Sequence, residues 1–273
     1  MRKPDAAIFA PLLDSGTNGV SVYCASYAAL AIWESDPRSV LSADEMVRAG
    51  RFVFEKDRNQ FTLAHAYLRR VLELGTGLPA ATIPLSTEEG EAPKLAPLAH
   101  RPPLHLSLSH CASHVAVAIS PLCPVGVDVE HISSAQGGAE IAANFFSSSE
   151  QRDLVQVTSS SYDHRFLRLW TAKEALSKAL GLGLNLPFDS FSVIDNGISA
   201  TIEFGSSDGA FVSETLFIDV GPDCVCAVVS VDQISADKVR TSIDELRCAE
   251  LRASPGAAVS GSSLHPPADW IGL

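Results

Sequence analysis

Positive charge is in short supply: 20 Lys and Arg stand against 32 Asp and Glu, a net charge of -12. That balance argues against non-specific nucleic-acid binding. Long apolar runs are missing too. Val20–Trp33 comes nearest, but Ser21, Ser26 and the tyrosines interrupt it, so it reads as buried strand and nothing reads as a bilayer span. Met1-Arg2-Lys3-Pro4-Asp5 lacks a signal-peptide layout. The six cysteines, Cys24, Cys111, Cys123, Cys224, Cys226 and Cys248, show no paired clusters of zinc-site spacing. Cys224 and Cys226 are two apart and share a strand face. All six are expected as reduced, mostly buried thiols of a cytoplasmic protein. There is no Gly-x-Ser-x-Gly elbow, Walker loop or dinucleotide fingerprint, which removes the common hydrolase and nucleotide-fold signatures.

What is present suffices for a large core: 273 residues, 46% hydrophobic and 19% charged. The chain divides into two α+β blocks, 1–120 and 121–235, followed by 236–273. In the first block Ser42 and Glu45 form a capping box, and Phe61, Ala64, Leu68, Val71 and Leu72 recur at helical spacing over Arg58–Leu74, with Gly75 as C-cap. Gly75–Pro103 reads as loop, Leu104–Leu108 as strand, Ser109–Ser113 as turn and His114–Ser120 as strand. In the second block Val125–Glu130 is a strand, Ser133–Gly138 a loop, Ser147 a helix start, and His164–Leu180 a helix ended by Gly181. Four strands follow: Phe191–Asp195, Ile198–Phe204, Phe211–Val220 and Cys224–Val231. His114–Ser120 echoes Cys224–Ser230, a hint of duplication. Ala236–Arg252 reads as a polar helix and 253–269 as disordered.

Charge is unevenly placed. Six Lys/Arg and two acids, Glu55 and Asp57, occupy Arg48–Arg70. This is either a solvated helix face or a place to hold a multiply charged small anion. Gly126-Val127-Asp128-Val129-Glu130 puts two acids on one strand face, since residues two apart point together; an ordinary half-exposed strand has the same alternation. Trp170-Thr171-Ala172-Lys173-Glu174-Ala175 puts a third acid on a helix, with Lys178 four residues on. A surface Glu174–Lys178 pair with Trp170 as core anchor is the alternative. Three converging carboxylates suit a hard cation such as Mg²⁺, and the neighbouring lysines suit an anionic substrate. Ser107, Ser109 and His110 end a strand and can donate to phosphate oxygens.

In this order these segments resemble the Sfp-type 4′-phosphopantetheinyl transferases. The likeness runs over about Arg48–Val231 and includes Arg51–Arg58 and Phe145–Glu150. It departs at Ala92-Pro93-Lys94-Leu95-Ala96-Pro97, where the family carries Gly-Lys-Pro, at Ser107 (often Asn) and at Cys111 (often Ser). The resemblance implies an α+β fold of two similar halves related by a pseudo-twofold axis, with the active site in the cleft between them. It implies Mg²⁺-dependent transfer of the phosphopantetheine arm of coenzyme A to a serine of an apo carrier protein, releasing adenosine 3′,5′-bisphosphate. By motif position Asp128, Glu130 and Glu174 hold the metal; Glu174 is the base and Lys178 assists the departing phosphate. Lys56, Arg58, Ser109, His110, Asp128, Lys173 and Lys178 are the expected coenzyme A contacts. A cytoplasmic monomer without membrane or nucleic-acid partners is expected. A basic rim of Arg152, Arg165 and Arg168 is expected to meet the carrier. Two other functions fit the same residues: a non-catalytic carrier-protein or coenzyme A-binding module, and a metal-dependent phosphohydrolase acting on coenzyme A.

Overall fold

A computed structural model describes residues 8–14, 19–86, 92–98, 103–204, 211–241 and 243. The first part of the chain carries β1 (Leu13–Asp14), β2 (Ser21–Ser26), α1 (Tyr27–Trp33), α2 (Ala43–Arg51), α3 (Glu55–Thr76), β3 (Leu85–Ser86), β4 (Lys94–Leu95), β5 (His105–His110) and β6 (His114–Ser120). The second carries β7 (Val125–His131), α4 (Gly138–Phe145), α5 (Ser148–Gln156), α6 (Ser159–Leu180), β8 (Phe191–Asp195), β9 (Ser199–Phe204), β10 (Phe211–Ile218) and β11 (Cys224–Ser230). A helical segment follows over 233–241. No helix among the described residues is long and apolar enough to cross a membrane.

Among the described residues two large antiparallel sheets form, ordered β1-β2-β6-β5 and β7-β11-β10-β9-β8, and β3 pairs with β4 in a third, two-stranded one. Alternation along each strand assigns its faces. Val115, Val117 and Ile119 of β6 pack with Leu68, Val71 and Leu72 of α3. Ala116 and Ala118 face the other way, into a cluster with Val127, Val129, Cys226 and Val228 of the second sheet. On that sheet's far side Val225, Ala227 and Val229 meet Ala172, Ala175 and Leu176 of α6. The layers therefore run α3, first sheet, second sheet, α6. Covered on both faces, β6 and β11 must be apolar throughout, which is why their sequences echo each other.

Local signals explain most element boundaries. Ser42 and Glu45 cap α2 reciprocally, as do Ser147 and Glu150 for α5. Gly181, at φ 68°, ends α6. Four expectations change. Val20–Trp33 is half helix: the Ser26 hydroxyl accepts from Ala29 N at 3.2 Å and starts α1. The C-cap of α3 is Gly77, at φ 68°, while Gly75 stays helical. Ser109 and His110 belong to β5, so the turn begins at Cys111. The Ser133–Gly138 loop contains a 3₁₀ turn over Ile132–Ala135, and α4 starts at Gly138. The expected disordered tail, the end of the polar helix and Cys248 lie outside the described residues; the other five cysteines are free thiols.

One contact sets the geometry of the second half. A Cβ on Gly126 would lie 1.8 Å from the Ala175 carbonyl oxygen and 2.6 Å from Ala179 N. Only glycine lets the α6 backbone lie this close to β7. Overpacking against backbone cannot relax by rotamer change, so Gly126→Ala should lower the urea-unfolding free energy by about 3 kcal/mol. Near-native stability of that variant, measured by urea denaturation, would show that α6 is not held there.

Candidate active site

Gly126, Asp128 and Glu130 share the face of β7 that meets α6, where Glu174 and Lys178 lie one turn apart. The β5 edge supplies the third side. Lys178 Nζ donates to Asp128 Oδ1 at 2.7 Å and to Ser109 Oγ at 3.0 Å, and Ser109 Oγ donates to Asp128 Oδ1 at 2.8 Å. Ser107 Oγ accepts from Val127 N at 3.1 Å, and Ser109 Oγ from Val129 N at 3.4 Å. These hydroxyls satisfy edge N–H groups of β7 that no strand pairs, and so join the edges of the two sheets. Ser134, which carried no sequence signal, donates to Glu130 Oε2 at 2.7 Å.

The cluster is short of positive charge. Asp128, Glu130 and Glu174 are 2%, 7% and 7% exposed. Burial, then the Asp128 charge, pushes Glu130 up to about 8, with the Ser134 hydroxyl opposing. Burial and Asp128 likewise push Glu174 up to about 7, with Lys178 opposing. Burial would pull Lys178 down, but Asp128, Glu174 and Glu130 together outweigh it and hold the ammonium charged. Asp128 Oδ2 and Glu174 Oε1 are buried with no hydrogen-bond partner. Burying a carboxylate oxygen unpaired is costly, and a hard divalent cation is the group such oxygens lack. The donor set therefore fits Mg²⁺. It is not drawn fully together, however: Lys178 holds one Asp128 oxygen, and the three acids do not form a set of ligand atoms within 4.8 Å of one another.

The other expected contacts divide. His110 stands beside Lys178 and Asp128; burial, then the Lys178 charge, pushes it down to about 4, so it is neutral at physiological pH. Lys56 lies further off, in a cleft of about 580 Å³ lined also by Tyr27, Arg38, Asn59 and Gln60. Gln60 Nε2 donates to the Ala112 carbonyl at 2.9 Å, which places that cleft against the β5–β6 turn. Arg58 turns back to the Phe52 carbonyl at 2.9 Å, and its Nε is buried without a partner.

Lys173 corrects the expectation that it contacts coenzyme A. It is fully buried, on a different side of α6 from Glu174. Its Nζ ion-pairs with Glu150 at 2.9 Å, donates to the Phe188 and Phe191 carbonyls at 2.5 and 3.0 Å, and sits 4.0 Å from the Phe191 ring centre. The reason is angular: neighbours on a helix point about 100° apart, so Lys173 and Glu174 cannot share a face. The arginines of the expected basic rim have partners within the chain. Arg165 pairs with Asp153 and Asp195, and Arg168 pairs with Asp195 and covers the Phe217 ring. Arg152 donates to the Ser148 carbonyl. The surface Glu174–Lys178 pair does not form; Lys178 turns to Asp128 instead. Trp170 is a core anchor, packed against the rings of both Phe146 and Phe166.

Buried acids beside a charged lysine, at the junction of two sheets, form a cluster suited to a divalent cation and an anionic ligand. Comparison with known proteins makes this specific. Residues 124–229 match the family model described as "4'-phosphopantetheinyl transferase superfamily". The chain is 31% identical to 4'-phosphopantetheinyl transferase Sfp of Bacillus subtilis over 69% of its own length and 83% of that protein. It is 28% identical to 4'-phosphopantetheinyl transferase psf-1 of Bacillus pumilus, over 66% of this chain and 75% of the relative. It is 30% identical to 4'-phosphopantetheinyl transferase HetI of Nostoc, over 55% and 63%. The chain belongs to the Sfp-type 4′-phosphopantetheinyl transferase family.

Lys173 and Lys178 should separate experimentally. Lys173→Met leaves the Glu150 carboxylate buried and unpaired, at a cost of about 3 kcal/mol of stability. Its coenzyme A affinity by titration calorimetry should match the native chain. A large loss of affinity at native stability would restore Lys173 to the substrate site.

Proposed function

We propose that this site carries out the family's reaction: transfer of the phosphopantetheine arm of coenzyme A to a serine hydroxyl of an apo carrier protein, with adenosine 3′,5′-bisphosphate as the leaving group. The observation that carries the reading is the pair of buried, unpartnered carboxylate oxygens, Asp128 Oδ2 and Glu174 Oε1, beside the charged Lys178. Asp128, Glu130 and Glu174 would hold Mg²⁺, which when bound neutralises pyrophosphate charge.

The remaining work falls to the chain's own residues. A carrier serine is a weak nucleophile until a positioned base takes its proton. Glu174 suits that task, because it is nine-tenths enclosed, has a free oxygen and holds protons near neutrality. As the serine oxygen bonds to phosphorus, the bond from phosphorus to the nucleotide phosphate breaks, and charge develops on the departing oxygen. Lys178 Nζ is the cation placed to stabilise it. Ser109 fixes that ammonium from below. Neutral His110 contributes a hydrogen bond to a phosphate oxygen rather than a charge. Lys56, with Arg38 in the same cleft, supplies cations for the nucleotide's outlying phosphate. Binding there orients the reacting end, a gain of proximity rather than chemistry.

The pseudo-twofold reading is supported by strand order. In each sheet the first long strand, the last and the next-to-last lie side by side, β2-β6-β5 and β7-β11-β10. A long helix, α3 or α6, covers the outer face of each. On this reading 1–120 and 121–235 are the two halves, and the active site lies in the cleft where β5 meets β7. The working unit we propose is a cytoplasmic monomer.

Glu174→Gln should lower the rate of carrier modification roughly 10²–10⁴-fold while coenzyme A binding stays near native. Lys178→Ala should cost a similar factor. Chelation by EDTA should stop the reaction, and added Mg²⁺ should restore it. Native turnover by Glu174→Gln would remove that carboxylate from the chemistry.

A further inference from the structure

A second ligand set lies where the two sheets join, and the proposed reaction does not use it. Cys111 opens the β5–β6 turn, His114 begins β6, and Cys224 begins β11. Their Sγ, imidazole and Sγ donors all lie within 4.8 Å of one another. Cys224 Sγ is 3.4 Å from His114 Nδ1. Around a tetrahedral zinc ion, with Zn–S about 2.3 Å and Zn–N about 2.0 Å, adjacent S and N ligands stand about 3.5 Å apart. One hydroxyl touches all three donors: Ser113 Oγ is 2.8 Å from His114 Nδ1, 3.3 Å from Cys224 Sγ and 3.7 Å from Cys111 Sγ.

The backbone holds the donors in register. Cys111 N donates to the His114 carbonyl at 2.9 Å and closes the turn. Cys224 stands opposite His131 in the β7–β11 ladder. Both cysteines are buried, while His114 is half-buried and leaves a way in from solvent. The pattern is hidden in the sequence because Cys224 is 110 residues beyond His114; the local Cys-x-x-His is only half a site.

We propose that Cys111, His114 and Cys224 form a binding site for a thiophilic divalent cation, zinc first, that clamps the β5–β6 turn to β11 across the junction of the two sheets. Sulfur and imidazole donors select such an ion and reject Mg²⁺, which favours the oxygen ligands of the carboxylate cluster. The two sites therefore sort metals by donor chemistry. Binding forms two Zn–S bonds and one Zn–N bond and releases the two thiol protons to solvent. The fourth position falls to water or to the Ser113 hydroxyl. Because the ion bridges strands of different sheets, it binds the folded state more tightly than the unfolded chain and stabilises it by mass action.

The test uses the full chain, reduced, stripped with chelator and held in saturating Mg²⁺. Titrated Co²⁺ should bind at one equivalent with sulfur-to-cobalt charge-transfer absorption, and Zn²⁺ should displace it. At a hundredfold excess over Kd, zinc should raise Tm by about 5 °C. The absorption should vanish in Cys111→Ser and Cys224→Ser, weaken at least tenfold in His114→Ala, and persist in Glu174→Gln. Absence of the thiolate band in the native chain overturns the proposal. So does an unchanged band in both serine variants, or a cobalt signal lost in Glu174→Gln. If the serine variants do not fold, alkylation of the native chain decides: zinc should protect Cys111 and Cys224, and protection confined to Cys24, Cys123 or Cys226 contradicts the site.

Discussion

The close approach of α6 to β7 at Gly126 is the constraint from which the rest of the site follows. With no Cβ in the way, the helix backbone lies against the strand. Asp128 and Glu130, on the same strand face, then stand beside Glu174 and Lys178. A helix set back by the width of one methyl group would break the 2.7 Å contact between Lys178 and Asp128. The glycine of the strand motif is thus part of the geometry of the candidate site. The apolar clusters on both faces of the second sheet hold this arrangement stiff, since neither layer can shift without opening the other.

Two lysines on one helix show how a single element serves structure and chemistry together. Lys173 lies inside the second core, neutralising Glu150, which itself caps α5 and accepts from Val193 N at 2.8 Å. Lys178 lies at the junction of the sheets and neutralises only one of three neighbouring acids. The first network is closed, with its charges and carbonyls matched. The second is open, with two buried carboxylate oxygens unmatched. Two unmatched carboxylate oxygens in one cluster beside a single ammonium are where binding energy can be held for a cation and an anionic ligand.

Most of the element plan was legible in the sequence, because it rests on local rules. The capping boxes at Ser42 and Ser147, Gly181 after α6, and the alternating strands β6 and β11 all state their structure within a few residues. What was not legible depends on distance or angle. Val20–Trp33 is uniformly apolar and carries no period to separate strand from helix, so the Ser26 cap was missed. Lys173 beside Glu174 looks like one motif in sequence, yet the helical turn sends the two to different layers. Arg165 and Arg168 read as free surface charge because Asp195, their main partner, lies nearly thirty residues away along the chain. The acids and Lys178 were legible as a set, since strand and helix spacing alone put each pair on one face. Their meeting with Ser109 required the first sheet.

The central claim is transfer, and intact mass spectrometry of an apo carrier protein tests it most directly. The carrier would be incubated with the chain, coenzyme A and Mg²⁺, with and without EDTA. The account predicts a mass gain of one phosphopantetheine on the carrier serine, present with metal and absent with chelator. No gain across fatty-acid, polyketide and peptide carriers while coenzyme A still binds would contradict it in favour of a binding module; breakdown of coenzyme A with the carrier unmodified would contradict it in favour of a hydrolase.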